Sequence, residues 1–231
     1  MITRFPSASI FSYWEKMMDS IGEICTAFSG TYAGEGMAAL AELYDQIERE
    51  TARFCFEHSI ACGPGCGTCC EHFMPDITAL EARLVAAYLL LVKKDTALIH
   101  TIVDAKNSNS GPCPLYRSDS PYHCSVYPAR PLICRLFGVC ANGDKEGNGV
   151  FRRCRYNEEE TMPLKLTFGP EVPVMQDYAY ALRALDSSAT SVALLPKAIL
   201  EQLEQLSFLV SMLSNQEDNS NPDNTPNPLA S

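Results

Sequence analysis

At 231 residues, 46% of them apolar, the chain can bury a full core and reads as one domain with appendages rather than as a disordered or collagen-like polymer. Its net charge of −10 argues against nonspecific binding to nucleic acid. The longest apolar run, residues 84–92, falls far short of the roughly eighteen residues that span a bilayer, and Met1–Pro6 lacks the charged-then-apolar pattern of a secretory signal. These features lead us to expect a cytoplasmic protein with no membrane or nucleic-acid partner.

In chain order, the first thirty residues mix aromatics with polar residues, and a helix is expected over Ser12–Phe28 with Ile21, Ile24, Cys25 and Phe28 on one face. Gly30, Gly34 and Gly36 read as a break. A clearer helix then runs from Met37 to His58, its stripe made of Leu40, Leu43, Tyr44, Ile47, Thr51, Phe54 and Cys55. Cys25 and Cys55 lie on these stripes and read as small buried hydrophobes. His58 reads as a helix-end cation facing the negative end of the dipole.

After the loop 62–75, Asp76 or Thr78 caps a helix through Leu84, Ala87, Tyr88 and Leu91 to about Lys94. A short helix from Thr96 to about Ala105 precedes the loop Asn107–Pro112. Residues 113–156 are rich in cysteine, proline and glycine and show little periodicity. A short strand is expected over Leu164–Phe168, then helices from Val174 to about Ala184 and from Ser191 to about Leu213. The segment 214–231 has the composition of a disordered tail.

Nine of the eleven cysteines lie outside helical stripes. Four fall within Cys62-Gly63-Pro64-Gly65-Cys66-Gly67-Thr68-Cys69-Cys70, a loop with almost no apolar side chains to pack itself. The second stretch supplies Cys113, Cys124, Cys134, Cys140 and Cys154. In a reducing compartment structural disulfides are rare, so this count points to metal ligation, with thiolate coordination supplying the free energy that orders the loops. Nine donors exceed the four of one closed tetrahedral site, and the adjacent pair Cys69–Cys70 suits a single mononuclear ion badly. A multinuclear cluster or two sites follow, with iron–sulfur ahead of zinc.

The charge pattern agrees. Residues 1–61 carry nine acids against four bases and 157–213 carry eight against three, whereas 62–156 hold eleven bases and eight acids, a local surplus of the sign thiolates need. Arg130 and Arg135 flank Cys134 and read as hydrogen-bond donors and charge compensation for sulfur. His72 and His123 adjoin cysteines and read as neighbours rather than ligands. Glu158-Glu159-Glu160 reads as a solvated helix start. No Ser-His-Asp set, phosphate loop or HExxH motif supports hydrolase chemistry.

The pattern Cys62-x3-Cys66-x2-Cys69-Cys70, then Cys113-Pro-Leu, then Cys124-x-Val-Tyr-x-x-Arg130-Pro131-x-x-Cys134-Arg135-x-Phe-Gly, resembles the YkgJ family of cysteine-cluster proteins. The resemblance spans roughly residues 60–156, and seven cysteines fall on the family pattern. It implies a zinc- or iron-chelating domain, often regarded as an iron–sulfur protein. The cluster is also similar to that of flagellin lysine N-methylases, which implies an iron–sulfur site linked to methyl transfer in those enzymes. Radical SAM chemistry shares the Cys62-x3-Cys66-x2-Cys69 spacing. Thr68 stands where those enzymes place an aromatic, the loop follows a helix rather than a strand, and the strand–helix alternation of a barrel is missing.

The expected architecture is mainly α: a single helical domain, 1–213, around an irregular metal-binding core at 60–156, followed by the tail. The expected cofactor is an iron–sulfur cluster, 4Fe-4S first and zinc as the alternative. Its ligands are drawn from Cys62, Cys66, Cys69, Cys70, Cys113, Cys124, Cys134, Cys140 and Cys154. Two roles stay open: a redox or methyl-transfer enzyme, oxidoreductase-like or protein lysine methylase-like, acting with a protein or small-molecule partner, or a structural zinc module whose helices form a binding surface.

Overall fold

One buried carboxylate ties the helical core together. Glu81 is 3% exposed, and Thr78 at the helix N-cap accepts from its backbone N–H while the Glu81 side chain accepts from the Thr78 N–H at 2.7 Å, a complete capping box. The other Glu81 oxygen accepts from the Tyr44 hydroxyl at 3.2 Å and from the Leu132 N–H at 2.7 Å. Three segments far apart in sequence thus meet on one charge. A buried carboxylate is tolerable only when it is paired or hydrogen-bonded in this way.

A computed structural model describes residues 19–62, 66–108, 111–120, 122–157, 162–170, 172–186 and 191–219, with side chains of the last helix described to 212. Within them the chain is mainly α. Helix α1 covers residues 19–27 and buries Ile21 and Ile24, with Phe28 just beyond; its expected start over 12–18 lies outside the described residues. Helix α2 spans Tyr32–Glu57 and starts five residues before the expected Met37. The cause is Thr31, whose hydroxyl accepts from Gly34 N–H at 3.0 Å and caps the helix. Gly34 is not a break: a Cβ there would lie 2.0 Å from the Phe28 carbonyl oxygen, so glycine lets the ends of α1 and α2 touch.

A five-residue helix α3, Thr68–His72, carries Cys69 and Cys70. Strand β1, Asp76–Thr78, leads into α4, Ala79–Tyr88, which buries residues on all sides rather than along one stripe. Ala82, Ala86 and Ala87 are fully buried, and their small size lets α4 lie between α2 and the last helix. A π-helical turn, Leu89–Lys93, follows, then Lys94 in left-handed conformation at φ 50° and helix α5, Thr96–Ala105, capped by Asp95.

The stretch 113–156 is less irregular than its composition suggests. A 3₁₀ turn, Tyr127–Ala129, precedes α6, Leu132–Leu136. A hairpin follows, with β2 (Asn142–Gly143) pairing β3 (Gly149–Arg152) and β3 pairing β4 (Lys165–Thr167), all antiparallel. The expected strand is β4; the hairpin went unread although Asn142-Gly143-Asp144 and Gly147-Asn148-Gly149 are turn residues beside Val150 and Phe151.

Helix α7 is Met175–Leu185. Residues 192–194, expected to be helical, instead form β5, which pairs antiparallel with β1 in the register Asp76↔Leu194. β-Branched Val192 suits the strand, and Pro196 belongs in a helical first turn, so the helix starts only at Leu195. This helix, α8, runs from Leu195 to Asn219, into the stretch expected to be tail; residues 220–231 lie outside those described.

The main core joins α1, α2, α4, α5, α7 and α8 with Leu115, Val126, Leu132 and Leu136 from the cysteine-rich stretch. A second, smaller core of Ile60, Ala141, Phe151 and Met162 packs beneath the three-stranded sheet, with Phe54 edge-on to Phe151 at 6.2 Å and Phe168 at 5.2 Å. The His58 ring packs against Phe168 at 4.6 Å, at the C-cap of α2.

Candidate metal centre

The two cysteine stretches are docked by contacts of their backbones. Cys113 N–H donates to the Cys70 carbonyl at 2.7 Å, which sets these two residues side by side. Gly67 is buried beneath the second stretch: a Cβ there would stand 2.3 Å from His123 Cβ and 2.8 Å from Tyr116 Cε2. His123, at φ 49°, meets Tyr116 edge-on at 5.8 Å, and the Tyr116 hydroxyl donates to the Glu71 carboxylate. An isolated β-bridge between Tyr116 and Cys124 closes the second stretch on itself.

All eleven cysteines are free thiols. Two spaces gather them. One, of about 280 Å³, is lined by Cys62, Cys66, Cys69 and Cys134 together with Cys55, Arg130 and Arg135. The other is a narrow apolar cleft lined by Cys69, Cys70, Cys113 and Cys134 between Phe73 and Phe137, whose rings stack at 6.3 Å. Cys69 and Cys134 face both. Cys62 and Cys66 are exposed on either side of Gly63-Pro64-Gly65, which lies outside the described residues; Cys124 is half-buried behind Cys134, and Cys154 lies against Gly138. Among the described residues, no three His, Cys, Asp or Glu side chains already stand close enough together to hold a metal ion.

Cys140 is not brought to this group. It is buried in the main core, its thiol reaching the Pro173 carbonyl at 4.0 Å, and lines a separate cavity with Phe54, His58 and Tyr178. Cys55 packs on the second core, and its thiol points at the Val139 carbonyl at 3.6 Å. Cys25 packs against the main core. His72 stacks on Tyr156 at 5.2 Å. Glu158–Glu160 lies outside the described residues.

The electrostatics make Cys69 easier to ionise than its neighbours Cys70, Cys113, Cys124 and Cys134. A hydrogen bond from the Cys70 thiol pulls Cys69 down to about 7, and the same bond pushes Cys70 up. Loss of hydration pushes Cys113 up to about 12 and raises Cys124 and Cys134 as well. Arg130 and Arg135 face the same space but share one carboxylate, Glu48, which lies 3.7 Å from Arg130 and closer to Arg135. Arg135, whose side chain is 5% exposed, also donates to the Arg130 and Pro128 carbonyls and lies over the Tyr44 ring at 4.0 Å. The Arg130 guanidinium lies over Tyr127 at 3.9 Å, and its buried Nε has no hydrogen-bond partner. Two cations against one carboxylate, with a buried donor unused, leave positive charge for sulfur. The thiol donor set and this surplus fit a soft metal.

Residues 61–161 match the family model CxxCxxCC, described as "Putative zinc- or iron-chelating domain". This chelating-domain match covers under half of the 231 residues and contains every loop cysteine identified from the sequence. It supports a cysteine-cluster family and metal binding. No curated protein and no solved structure matches the chain significantly. No helix among the described residues is long and apolar enough to cross a membrane.

Sequence reasoning missed Gly67, Glu48, Glu81 and Tyr127 as parts of the centre. Each acts through a contact made across the fold, and neither periodicity nor spacing reports such a partner. The reading of Arg130 and Arg135 had a local signal, their position on either side of Cys134.

Proposed function

We propose that the protein holds an iron–sulfur cluster, 4Fe-4S in type, through thiols of both cysteine stretches. The observation that carries this reading is that Cys69 and Cys134 face two adjoining thiol-lined spaces, so that Cys62, Cys66, Cys69, Cys70, Cys113 and Cys134 converge on one locus. That is more donors than one tetrahedral ion uses. Cys124 and Cys154 stand next in line as ligands, whereas Cys140 is assigned to packing. Closing the site requires exposed Cys62 and Cys66 to turn inward, and metal binding supplies the free energy for that ordering.

The cluster would supply one-electron transfer. Arg130 and Arg135 hold the compensating charge, and Tyr127 and Glu48 hold the arginines. Binding must expel protons from the thiols raised by burial, so metal affinity rises with pH. The exposure of Cys62 and Cys66 and the 280 Å³ space beside them favour a redox-active or catalytic centre over a closed structural zinc site. The test is anaerobic purification followed by an absorption spectrum and assay of iron, zinc and acid-labile sulfide. Broad absorption near ~400 nm with sulfide matching iron is the expected result. A colourless protein with stoichiometric zinc and no sulfide overturns the cluster and leaves the thiolate site in place.

A further inference from the structure

Beside the thiol spaces, and sharing Tyr127 with one of them, lies a polar cavity of about 300 Å³ whose wall includes Cys124 but none of the cysteines that line those spaces. Its wall is built from the turn between α4 and α5 and from residues within 117–120 and 124–128. Its volume is at the lower end of the range for small-molecule sites, so it suits a small metabolite rather than a chain segment.

Three side chains give it a chemical preference. Lys93 and Asp95 both line it, two residues apart around left-handed Lys94, and among the described residues neither forms a direct ion pair, although the Arg117 charge is near enough to act on Asp95. Asp95 uses one oxygen to accept from Leu98 N–H at 3.1 Å and keeps the other. The nearby Arg117 and Asp119 are closed on each other by two hydrogen bonds of 3.0 Å, so the ion pair they form contributes little net charge. Ser125, 8% exposed, lines the same cavity, and its buried hydroxyl has no hydrogen-bond partner. An unsatisfied buried hydroxyl is costly and is retained where something completes it.

From these we infer that the cavity binds a small zwitterion, an α-amino acid: the carboxylate to Lys93, the ammonium to Asp95, and a polar atom to Ser125. Opposite charges that share a cavity without pairing complement a ligand that carries both. An anion alone would leave Asp95 facing like charge, and a cation alone would do the same to Lys93. The inference does not depend on which metal, if any, the thiols hold, since none of these three residues is a proposed ligand.

The test is calorimetric titration of the full-length, anaerobically purified protein with the standard L-amino acids one at a time. For each binder, the matching des-amino acid and decarboxylated amine are titrated, and then inorganic phosphate. Saturable binding of at least one amino acid is expected, with each half-molecule at least about tenfold weaker. Lys93→Gln and Asp95→Asn should each weaken binding about tenfold or more with metal content unchanged. Asn caps a helix as well as Asp does, so the second variant keeps the fold and removes only charge. Ser125→Ala should weaken binding without lowering the melting temperature of the unliganded protein. Failure of every amino acid to bind, equal affinity in the Lys93 and Asp95 variants, or preferential binding of inorganic phosphate overturns the assignment.

Discussion

The helical layer and the cysteine layer of this molecule are ordered by different means. In the first, α2, α4 and α8 bury contiguous apolar faces, and α4 is covered on all sides, so hydrophobic burial carries the structure. In the second, Leu115, Val126, Leu132 and Leu136 anchor the stretch to the helical core, while the cysteine-bearing residues around them are held by backbone hydrogen bonds, a glycine contact and ring stacking. The two layers meet at Glu81, Tyr44, Glu48 and Arg135. Cysteines behave differently in each. Cys25, Cys55 and Cys140 pack as hydrophobes, while Cys62, Cys66, Cys69, Cys70, Cys113 and Cys134 line the two adjoining thiol spaces. A thiol's surroundings, not its count in the sequence, separate the proposed ligands from the core cysteines.

Removing a thiol shared by both spaces should have the largest effect. Cys69→Ser or Cys134→Ser is expected to lose metal and unfold residues 62–157 together, because binding and local folding are one equilibrium. Far-UV circular dichroism should still report most of the helix, carried by the other layer. Retention of full metal content in either variant would erase the distinction between the layers.

Next comes the joint between them. Glu81→Ala leaves the Thr78 and Leu132 N–H groups and the buried Tyr44 hydroxyl without their acceptor, and should cost about 3 kcal/mol or more. Denaturant unfolding measures it, and a loss under 1 kcal/mol would show that the layers are tied elsewhere. A smaller effect is expected for Gly67→Ala. The added methyl must push back His123 and Tyr116, costing about 1–3 kcal/mol and loosening the apposition of Cys70 and Cys113. Its readout is weaker metal retention under a chelator titration, with the helical core unchanged.

How much of this was legible in the sequence follows the same division. The three-and-four spacing in α2 and the candidate N-caps Asp76 and Thr78 are local signals, and they placed helices within a few residues; the Thr78/Glu81 capping box and the Asp95 cap were equally local and went unread. β5 was misread because Val192-Ala193-Leu194 also continues a helical stripe, and only its partner β1, over a hundred residues earlier, makes it a strand. In the site, glycine-broken spacing exposed the loop cysteines. Cys140 shares that setting in sequence but is buried in the main core with its thiol toward the Pro173 carbonyl, a contact across the fold that composition does not report.

The smallest effects should come from the packing cysteines. Cys55→Ala and Cys140→Ala are each expected to cost about 1 kcal/mol and to keep their metal. Metal loss from the Cys140 variant would move that residue into the centre.

The central claim is that thiolates, gathered from both stretches, ligate the metal. X-ray absorption at the metal edge of the anaerobically purified protein tests it most directly. The account predicts a first shell of sulfur near ~2.3 Å, the distance of thiolate ligation, lost in parallel in the Cys69 and Cys134 variants. A first shell of nitrogen and oxygen, or a protein carrying no stoichiometric metal at all, would contradict it.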